Sequence, residues 1–237
     1  METIIGIVLA IAFALLLGII SLSGNILRDK NRTSRDFSGE KTKQLTQEQQ
    51  IALYMGCDIN NISNFDHLAI ATVLIPTKIT DEDSFLCRSD LTKCDTILFT
   101  AFVIRAILIG TADNMQAARQ FSENYVRQVI LGTKYLYSST DEYFNEMFDN
   151  RMSFYDSVFM SKDDIEERLD AITSEFEFII KNDIIQKKYV PFYKDSPLPI
   201  LGILEDMQCM AQVKSFFNSI PTFVSPYYHQ VQRILSY

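Results

Sequence analysis

The first 27 residues of the chain constrain its fold more than any other feature. No charged side chain lies between Glu2 and Arg28, and Ile4 to Leu22 is an almost unbroken apolar run. A helix of that length, at a rise of about 1.5 Å per residue, extends roughly 28 Å, close to the hydrocarbon thickness of a bilayer. We therefore predict that residues 1–27 form a single transmembrane helix that anchors the protein.

A cleaved secretory signal is the alternative interpretation of the same segment. Such signals begin with positive charge and contain an apolar stretch of about 7 to 15 residues before a cleavage site with small residues. The chain instead begins with Met1-Glu2-Thr3, and its apolar run is longer. These differences favour a retained signal-anchor over cleavage after Leu22-Ser23-Gly24.

The charges that flank the apolar segment predict its orientation. Lys and Arg residues near the end of a span stay on the cytoplasmic side. The N-terminal flank has no cationic side chain, whereas the following stretch has six: Arg28, Lys30, Arg32, Arg35, Lys41 and Lys43. We expect a single-pass membrane protein with its N-terminus outside and its soluble domain in the cytoplasm.

Small residues recur every four positions along the predicted span, at Gly6, Ala10, Ala14 and Gly18. They form one stripe on a helix, and such a stripe lets two helix backbones approach closely in lipid. Gly and Ala are common in membrane helices, so the favoured interpretation is that these residues are ordinary components of the span. The alternative is a homodimer held together through the transmembrane helix.

Composition divides the rest of the chain into a basic polar linker, residues 28–45, and one soluble domain, residues 46–237. The domain is acidic, since residues 45–237 hold 16 Lys and Arg against 26 Asp and Glu. Phosphate binding depends on clustered Lys and Arg, so this balance argues against a nucleic-acid partner.

The pattern of apolar residues predicts an all-α fold class with about seven to eight helices. Thr46 followed by Gln49 is a capping-box pattern, which starts a helix. Thr80 with Asp83 and Ser139 with Glu142 are predicted to start two more. The clearest helical period follows Ser161, which we expect to cap a helix with Ile165, Leu169, Ile172, Phe176, Ile179 and Ile184 on one face.

Glycine and proline predict most of the other helix boundaries. Pro76 is predicted to end a helix that begins near Asn64, and Gly132 to cap one that begins near Asp113. Pro199 and Pro226 are predicted to start the last two helices, because proline suits a first turn. The first of these helices carries the apolar residues Ile203, Met207, Met210, Val213 and Phe217.

The most apolar stretch of the domain runs from Ile97 to Gly110 and is interrupted only by Arg105. Fourteen residues are short for a membrane span, and a central charge opposes insertion. We predict the central buried helix of the domain. Arg105 is expected to form an ion pair with a carboxylate at the edge of the core, and an anion-binding site is the alternative.

Acidic residues are concentrated in the middle of the domain. The predicted acidic docking face for a basic partner consists of Glu142, Glu146, Asp149, Asp163, Glu166, Glu167 and Asp170. Its charge would mainly raise the rate of association. The favoured interpretation is a solvated face, in which carboxylates in the first turn of a helix complement exposed amide groups, and docking of a basic partner is the functional alternative.

Sequence motifs for catalysis, cofactors and metals are absent. The chain has no G-x-S-x-G, H-E-x-x-H, P-loop or G-x-G-x-x-G motif. Its two histidines and four dispersed cysteines do not have zinc-site spacing, so reduced and mostly buried thiols are expected. A spatial Cys-His pair, such as His67 with Cys57 or Cys94, is the remaining catalytic alternative.

These observations predict a membrane-tethered, non-catalytic helical module that binds a protein partner at the cytoplasmic face of the membrane. We assign no cofactor, metal or catalytic residue. The first alternative is an extracytoplasmic anchored or secreted helical binding domain with oxidised cysteines, and the second is a hydrolase without a recognisable motif. The side of the membrane distinguishes the first two.

Overall fold

A computed structural model describes residues 45–79, 84–137, 141–186 and 201–235. These residues form eight α-helices and no β-strand, so the all-α prediction is confirmed. The helices are α1 (Gln47–Tyr54), α2 (Asn64–Val73), α3 (Ile75–Lys78), α4 (Asp90–Thr111), α5 (Met115–Tyr137), α6 (Asp141–Met160), α7 (Ile165–Gln186) and α8 (Ile203–Leu235). A short 3₁₀ helix, Phe85–Cys87, precedes α4.

Several predictions concern residues outside these ranges and stay predictions. They include the transmembrane helix at 1–27 with Gly6, Ala10, Ala14 and Gly18, and the linker up to residue 44. The predicted helix starts at Thr80, Ser139 and Pro199 also lie outside the described residues.

Two capping boxes begin α1 and α4. In α1 the Thr46 hydroxyl accepts from the Gln49 N–H at 3.2 Å, and the Gln49 side chain accepts from the Thr46 N–H at 3.0 Å. This confirms the predicted start. Ser89 and Thr92 form the same arrangement before α4, with bonds of 3.1 and 3.0 Å. The central helix therefore begins at Asp90, seven residues before the apolar stretch that predicted it.

Helix α4 lies at the centre of the domain, as the sequence predicts. Every residue from Cys94 to Ile104 is buried, and the helix contacts α5, α6, α7 and α8. Among the described residues it is the one helix whose length and apolar composition would suit a membrane span, and 67% of its most apolar window is buried inside the protein. The central helix of a soluble domain has the same character.

The predicted cap at Gly132 is wrong, because α5 continues through this residue to Tyr137. A Cβ atom at Gly132 would lie 3.0 Å from Val73 Cγ2 and 3.3 Å from Ile51 Cγ2. The glycine is therefore needed for close packing of α5 against α1 and α2, and not for a left-handed turn.

Two prolines, Pro76 and Pro226, also act differently from the prediction. Helix α2 ends at Val73, and Pro76 lies in the first turn of α3. Pro226 starts no helix, because α8 runs unbroken through Pro221 and Pro226. Proline removes a hydrogen bond from a helix interior, but the buried face continues on both sides at Ile220, Val224, Tyr228 and Val231.

The start of α7 also departs from the prediction. Ser161 does not cap this helix, since its hydroxyl donates instead to the Val158 carbonyl of α6 at 2.7 Å. The carboxylate of Asp164 takes the capping position and accepts from the backbone N–H groups of Glu166 and Glu167 at 2.8 and 3.2 Å. The helix begins at Ile165.

Contacts between the helices define two ends of the domain. At the end where the described chain begins, Gln50 of α1 accepts from the Tyr135 hydroxyl of α5 at 3.1 Å. Near the start of α4, Lys93 lies 5.7 Å from the ring centroid of Tyr137, and Lys181 of α7 meets Asp206 of α8 at 2.6 Å. We call this end, which holds the starts of α1, α4 and α8, the proximal end.

The opposite, distal end holds the starts of α2, α5 and α7 and the end of α8. The rings of Phe65 and Phe121 lie 4.9 Å apart there, and His67 stacks on Tyr227 at 5.0 Å. Phe159, near the end of α6, has Arg168 of α7 5.2 Å from its ring centroid. Helix α8 thus runs the length of the domain, from its proximal to its distal end.

Candidate functional site

Arg105 lies near the end of α4 and forms an ion pair with Asp156 of α6. Its guanidinium carbon also lies 5.3 Å from the ring centroid of Phe102, and 19% of its side chain is exposed. The structure therefore contains the carboxylate partner that the sequence predicts. With its guanidinium already engaged in this pair, nothing in the geometry favours the anion-binding alternative.

The structure divides the predicted acidic docking face. Asp163, Glu166, Glu167 and Asp170 are all exposed in the loop before α7 and in its first two turns, at the distal end. None of them forms an ion pair with another described residue. We call these four residues, with Asp164, the distal acidic cluster.

Asp149 does not belong to this cluster. It is exposed but lies on α6, eleven residues before the distal end of that helix at Met160, a separation of about 16 Å along the axis. The side chains of Glu142 and Glu146 lie outside the described part of the structure.

The first two turns of α8 expose apolar side chains at the proximal end. The exposed fraction is 81% for Ile203, 76% for Leu204 and 57% for Met207, and Met210 one turn further is also exposed. We call these four residues the proximal apolar stripe. Of the apolar residues that the sequence places on this helix, Ile203, Met207 and Met210 are exposed, whereas Val213 is buried.

An ion-pair network lies beside this stripe. The ammonium group of Lys181 contacts Glu177 at 2.5 Å and Asp206 at 2.6 Å. Glu205, in the first turn of α8, accepts from the Gly202 N–H at 3.3 Å. Two of the carboxylates near the stripe are therefore paired with a cation, and the third is bound to the helix terminus.

A charged cluster that the sequence analysis missed lies inside the proximal half. Arg151 of α6, Asp95 of α4 and Asp183 of α7 are completely buried. Arg151 Nε donates to Asp95 Oδ1 at 2.8 Å, and its Nη2 lies 3.6 Å from Asp183 Oδ1. One signal was available, since Arg151 falls on the apolar face of α6 between Phe148 and Tyr155.

The cluster has one cation for two carboxyl groups. Burial and the nearby charge of Asp95 raise the pKa of Asp183 far above its ordinary value. The raised pKa favours the protonated form of Asp183, which leaves Asp95 as the carboxylate that pairs with the guanidinium of Arg151. This arrangement avoids an unpaired charge inside the protein, which would be strongly destabilising.

The four cysteines are free thiols. Burial raises the pKa of Cys57 and Cys87 to about 11 and that of Cys209 to about 12, and it raises the pKa of Cys94 further. A raised pKa disfavours the thiolate that acts as a nucleophile. His67 stacks on Tyr227, so its described ring contact involves neither of the cysteines proposed for a Cys-His pair.

A cleft of about 530 Å³ opens at the distal end between α2, α5 and the end of α8. Phe65, Phe121, Tyr125, Gln128, Ile234 and Leu235 are among the residues that line it. At its base Tyr125 and Thr72 share a hydrogen bond of 2.8 Å. Burial raises the pKa of Tyr125, so its hydroxyl serves here as a neutral structural group.

Comparisons with protein-family models, with curated proteins and with solved structures find no match. Within the described residues, no three or more His, Cys, Asp or Glu side chains gather in a group suited to a metal ion. The basis for a functional proposal is therefore the geometry of this chain itself, above all the contrast between its two ends.

Proposed function

We propose that the chain is a membrane-tethered, non-catalytic helical module that binds a basic protein partner at the cytoplasmic face of the membrane. The observation that carries the proposal is the distal acidic cluster. Its exposed carboxylates lie at the end of the domain opposite to Leu45, where the chain arrives from the predicted span. A partner in solution would meet this end first.

The chemistry of the cluster fits a partner with Lys and Arg on its surface. Exposed charges steer association and select partners by complementarity. Asp164 is bound to the start of α7, so the neighbouring carboxylates are held on a defined helical turn. The free thiols agree with the reducing compartment in which this proposal places the domain.

The test of partner binding is cross-linking in intact cells. A photoreactive residue at Asp170 is expected to give a discrete cross-linked product, and the variant Glu166→Lys with Glu167→Lys is expected to reduce its yield about tenfold. The matched control is Asp149→Lys, a charge reversal of an exposed carboxylate outside the cluster. Equal losses in both variants would contradict the assignment of the partner surface.

Membrane attachment and sidedness have a separate test. The intact protein is expected to stay with membranes after alkaline and high-salt washing, because its apolar segment favours insertion. Protease added outside intact cells should leave residues 46–237 undigested, and digestion of this region after lysis is the control. Digestion from outside would replace the proposal with the extracytoplasmic alternative.

We further propose that the small-residue stripe of the span supports a homodimer. The variants Ala10→Ile and Ala14→Ile would prevent close approach of the two helices. They are expected to abolish cross-linking between copies in membranes, whereas Leu16→Ile should leave it unchanged.

A further inference from the structure

The proximal apolar stripe lies at the same end of the domain as the point where the chain enters it. Leu45 precedes α1, whose first turn meets the last turns of α5 through Gln50 and Tyr135. The last turns of α7 meet the first turn of α8 through Lys181 and Asp206. Both α1 and α8 therefore begin at the proximal end, and the stripe is on the first two turns of α8.

The length of chain outside the structure limits how far this end can lie from the membrane. Residues 28–44 separate the predicted span from Leu45. Even fully extended, these residues reach at most about 60 Å, and any less extended conformation brings the proximal end closer. The tether therefore keeps the stripe close to the membrane, and lipid is the apolar environment nearest to it.

The chemistry of the stripe suits the interface of a bilayer. Amphipathic helices bind there by burying Leu, Ile and similar side chains about 5 to 10 Å into the boundary between headgroups and acyl chains. Ile203, Leu204 and Met207 occupy one side of the first two turns and are more than half exposed. Their exposure is otherwise unfavourable, since soluble domains rarely present large apolar side chains together.

The distribution of charge supports the same orientation. The distal acidic cluster is at the opposite end, where it would not face an anionic leaflet. Near the stripe, Lys181 forms ion pairs with Asp206 and Glu177, and the cations Arg88 and Lys78 are exposed at the same end. A lipid surface would therefore meet apolar side chains with nearly balanced charge around them.

We propose that the first two turns of α8 lie on the surface of the bilayer that holds residues 1–27, so that the domain sits with its proximal end against lipid and its acidic end toward the cytoplasm. This inference rests on the membrane anchor of the proposed function. It adds a second, non-covalent lipid contact and fixes the orientation of the domain.

The test uses the full chain reconstituted into phosphatidylcholine vesicles with brominated acyl chains. A fluorescent amino acid is placed at Met207 in one sample and at Met160 in another. Met160 is the matched control, because it is an exposed methionine, 72% accessible, at the distal end of α6. Quenching at position 207 is expected to exceed quenching at position 160 by at least about threefold.

A second variant separates lipid contact from mere proximity. Leu204→Asp, with the probe at position 207, is expected to reduce the quenching to the level of position 160. Adding phosphatidylglycerol should change the quenching at 207 by less than about twofold, because the contact is mainly apolar. Equal quenching at 207 and 160 in the unmodified chain would overturn the docking proposal.

Two further outcomes are distinguishable. If a photoreactive residue at position 207 cross-links to a second copy and the fluorescent probe there is not quenched, the stripe is a dimer contact and the lipid proposal is wrong. If the chain leaves the vesicles on alkaline washing, the anchor itself fails and both proposals are overturned. Retention on the vesicles without quenching at 207 rejects only the docking.

Discussion

The two halves of the domain distribute polarity in opposite ways. In the proximal half, charged side chains lie inside, at Asp95, Arg151 and Asp183, and large apolar side chains lie on the surface at the start of α8. In the distal half the interior contains aromatic rings, such as Phe121 and Tyr125, and the surface carries the acidic cluster.

The two surfaces of the domain therefore differ in the surroundings that their chemistry favours. An acidic helix start is well solvated and costs nothing in water, whereas an exposed apolar stripe is unfavourable there and favourable against lipid. Inside the protein the preference is reversed, because charged groups are unfavourable there and apolar groups are favourable. The buried charges of the proximal half are tolerated because Arg151 pairs with Asp95 at 2.8 Å.

The largest expected effect comes from placing a charge inside the distal half. Ile172→Asp should destabilise the domain by more than about 3 kcal/mol, because it buries an unpaired charge on a core-facing helix stripe. Asp163→Asn, on the outside of the same end, should cost under about 1 kcal/mol. Urea unfolding of both variants measures the two losses in unfolding free energy. Similar losses would contradict the placement of Ile172 inside the domain and Asp163 on its surface.

Removing both described carboxyl partners of Arg151 tests the interior of the proximal half. The double variant Asp95→Asn with Asp183→Asn should cost about 3 kcal/mol, because it removes the carboxyl groups that lie beside a buried guanidinium. Each single variant should cost less than half as much, since the remaining carboxyl group can ionise and pair with Arg151. Additive losses in a double-mutant cycle would contradict this sharing of one cation.

The pH dependence of stability is a second test of the buried cluster of Asp95, Arg151 and Asp183. The pKa of Asp183 is raised in the folded state by burial and by Asp95, so the folded protein holds a proton that the unfolded chain releases above about pH 4. Stability from this proton is fully present below that pH and declines as the pH rises toward the folded pKa.

Asp183→Asn removes this titration, which isolates its contribution from those of other groups. Between pH 5 and pH 8 the unfolding free energy of the variant should rise relative to the unmodified protein by at least about 1 kcal/mol. Parallel urea-unfolding profiles for the two proteins over this range would show that Asp183 is ionised in the folded state.

The smallest effect on stability is expected on the outside of the proximal half. Leu204→Asp and Met207→Asp should change the unfolding free energy in detergent-free solution by less than about 0.5 kcal/mol, because both side chains are exposed. The same change at buried Val213 of α8 is the control and should be strongly destabilising. A large loss at position 207 would mean that the stripe belongs to the core.

Local signals in the sequence predicted much of the fold. The capping box at Thr46 and Gln49 and the helical period through Ile172 and Phe176 appear as expected, because both depend on residues within four positions of one another. The roles of Gly132 and Pro226 could not be predicted in this way. The first depends on Val73 and Ile51 of other helices, and the second on a buried face that continues through the proline.

The candidate sites likewise include features that the sequence predicts and features that only contacts between helices decide. The sequence shows the acidic residues at the start of α7, but it does not show that they lie at the end of the domain opposite Leu45. Met207 and Val213 lie about 120° apart around α8, and only the packing of the other helices shows that the first is exposed and the second is buried. Arg151 looked like an ordinary polar residue, since its partners lie 56 and 32 positions away in the sequence.

The sequence by itself determined the helical class, the position of the most apolar helix and the acidic character of the domain, because propensity, periodicity and charge are properties of neighbouring residues. Tertiary structure alone decided which helical faces are covered, which carboxyl groups share Arg151, and which end of the domain carries the acidic cluster. These depend on contacts between helices far apart in the chain, and no short-range pattern encodes them.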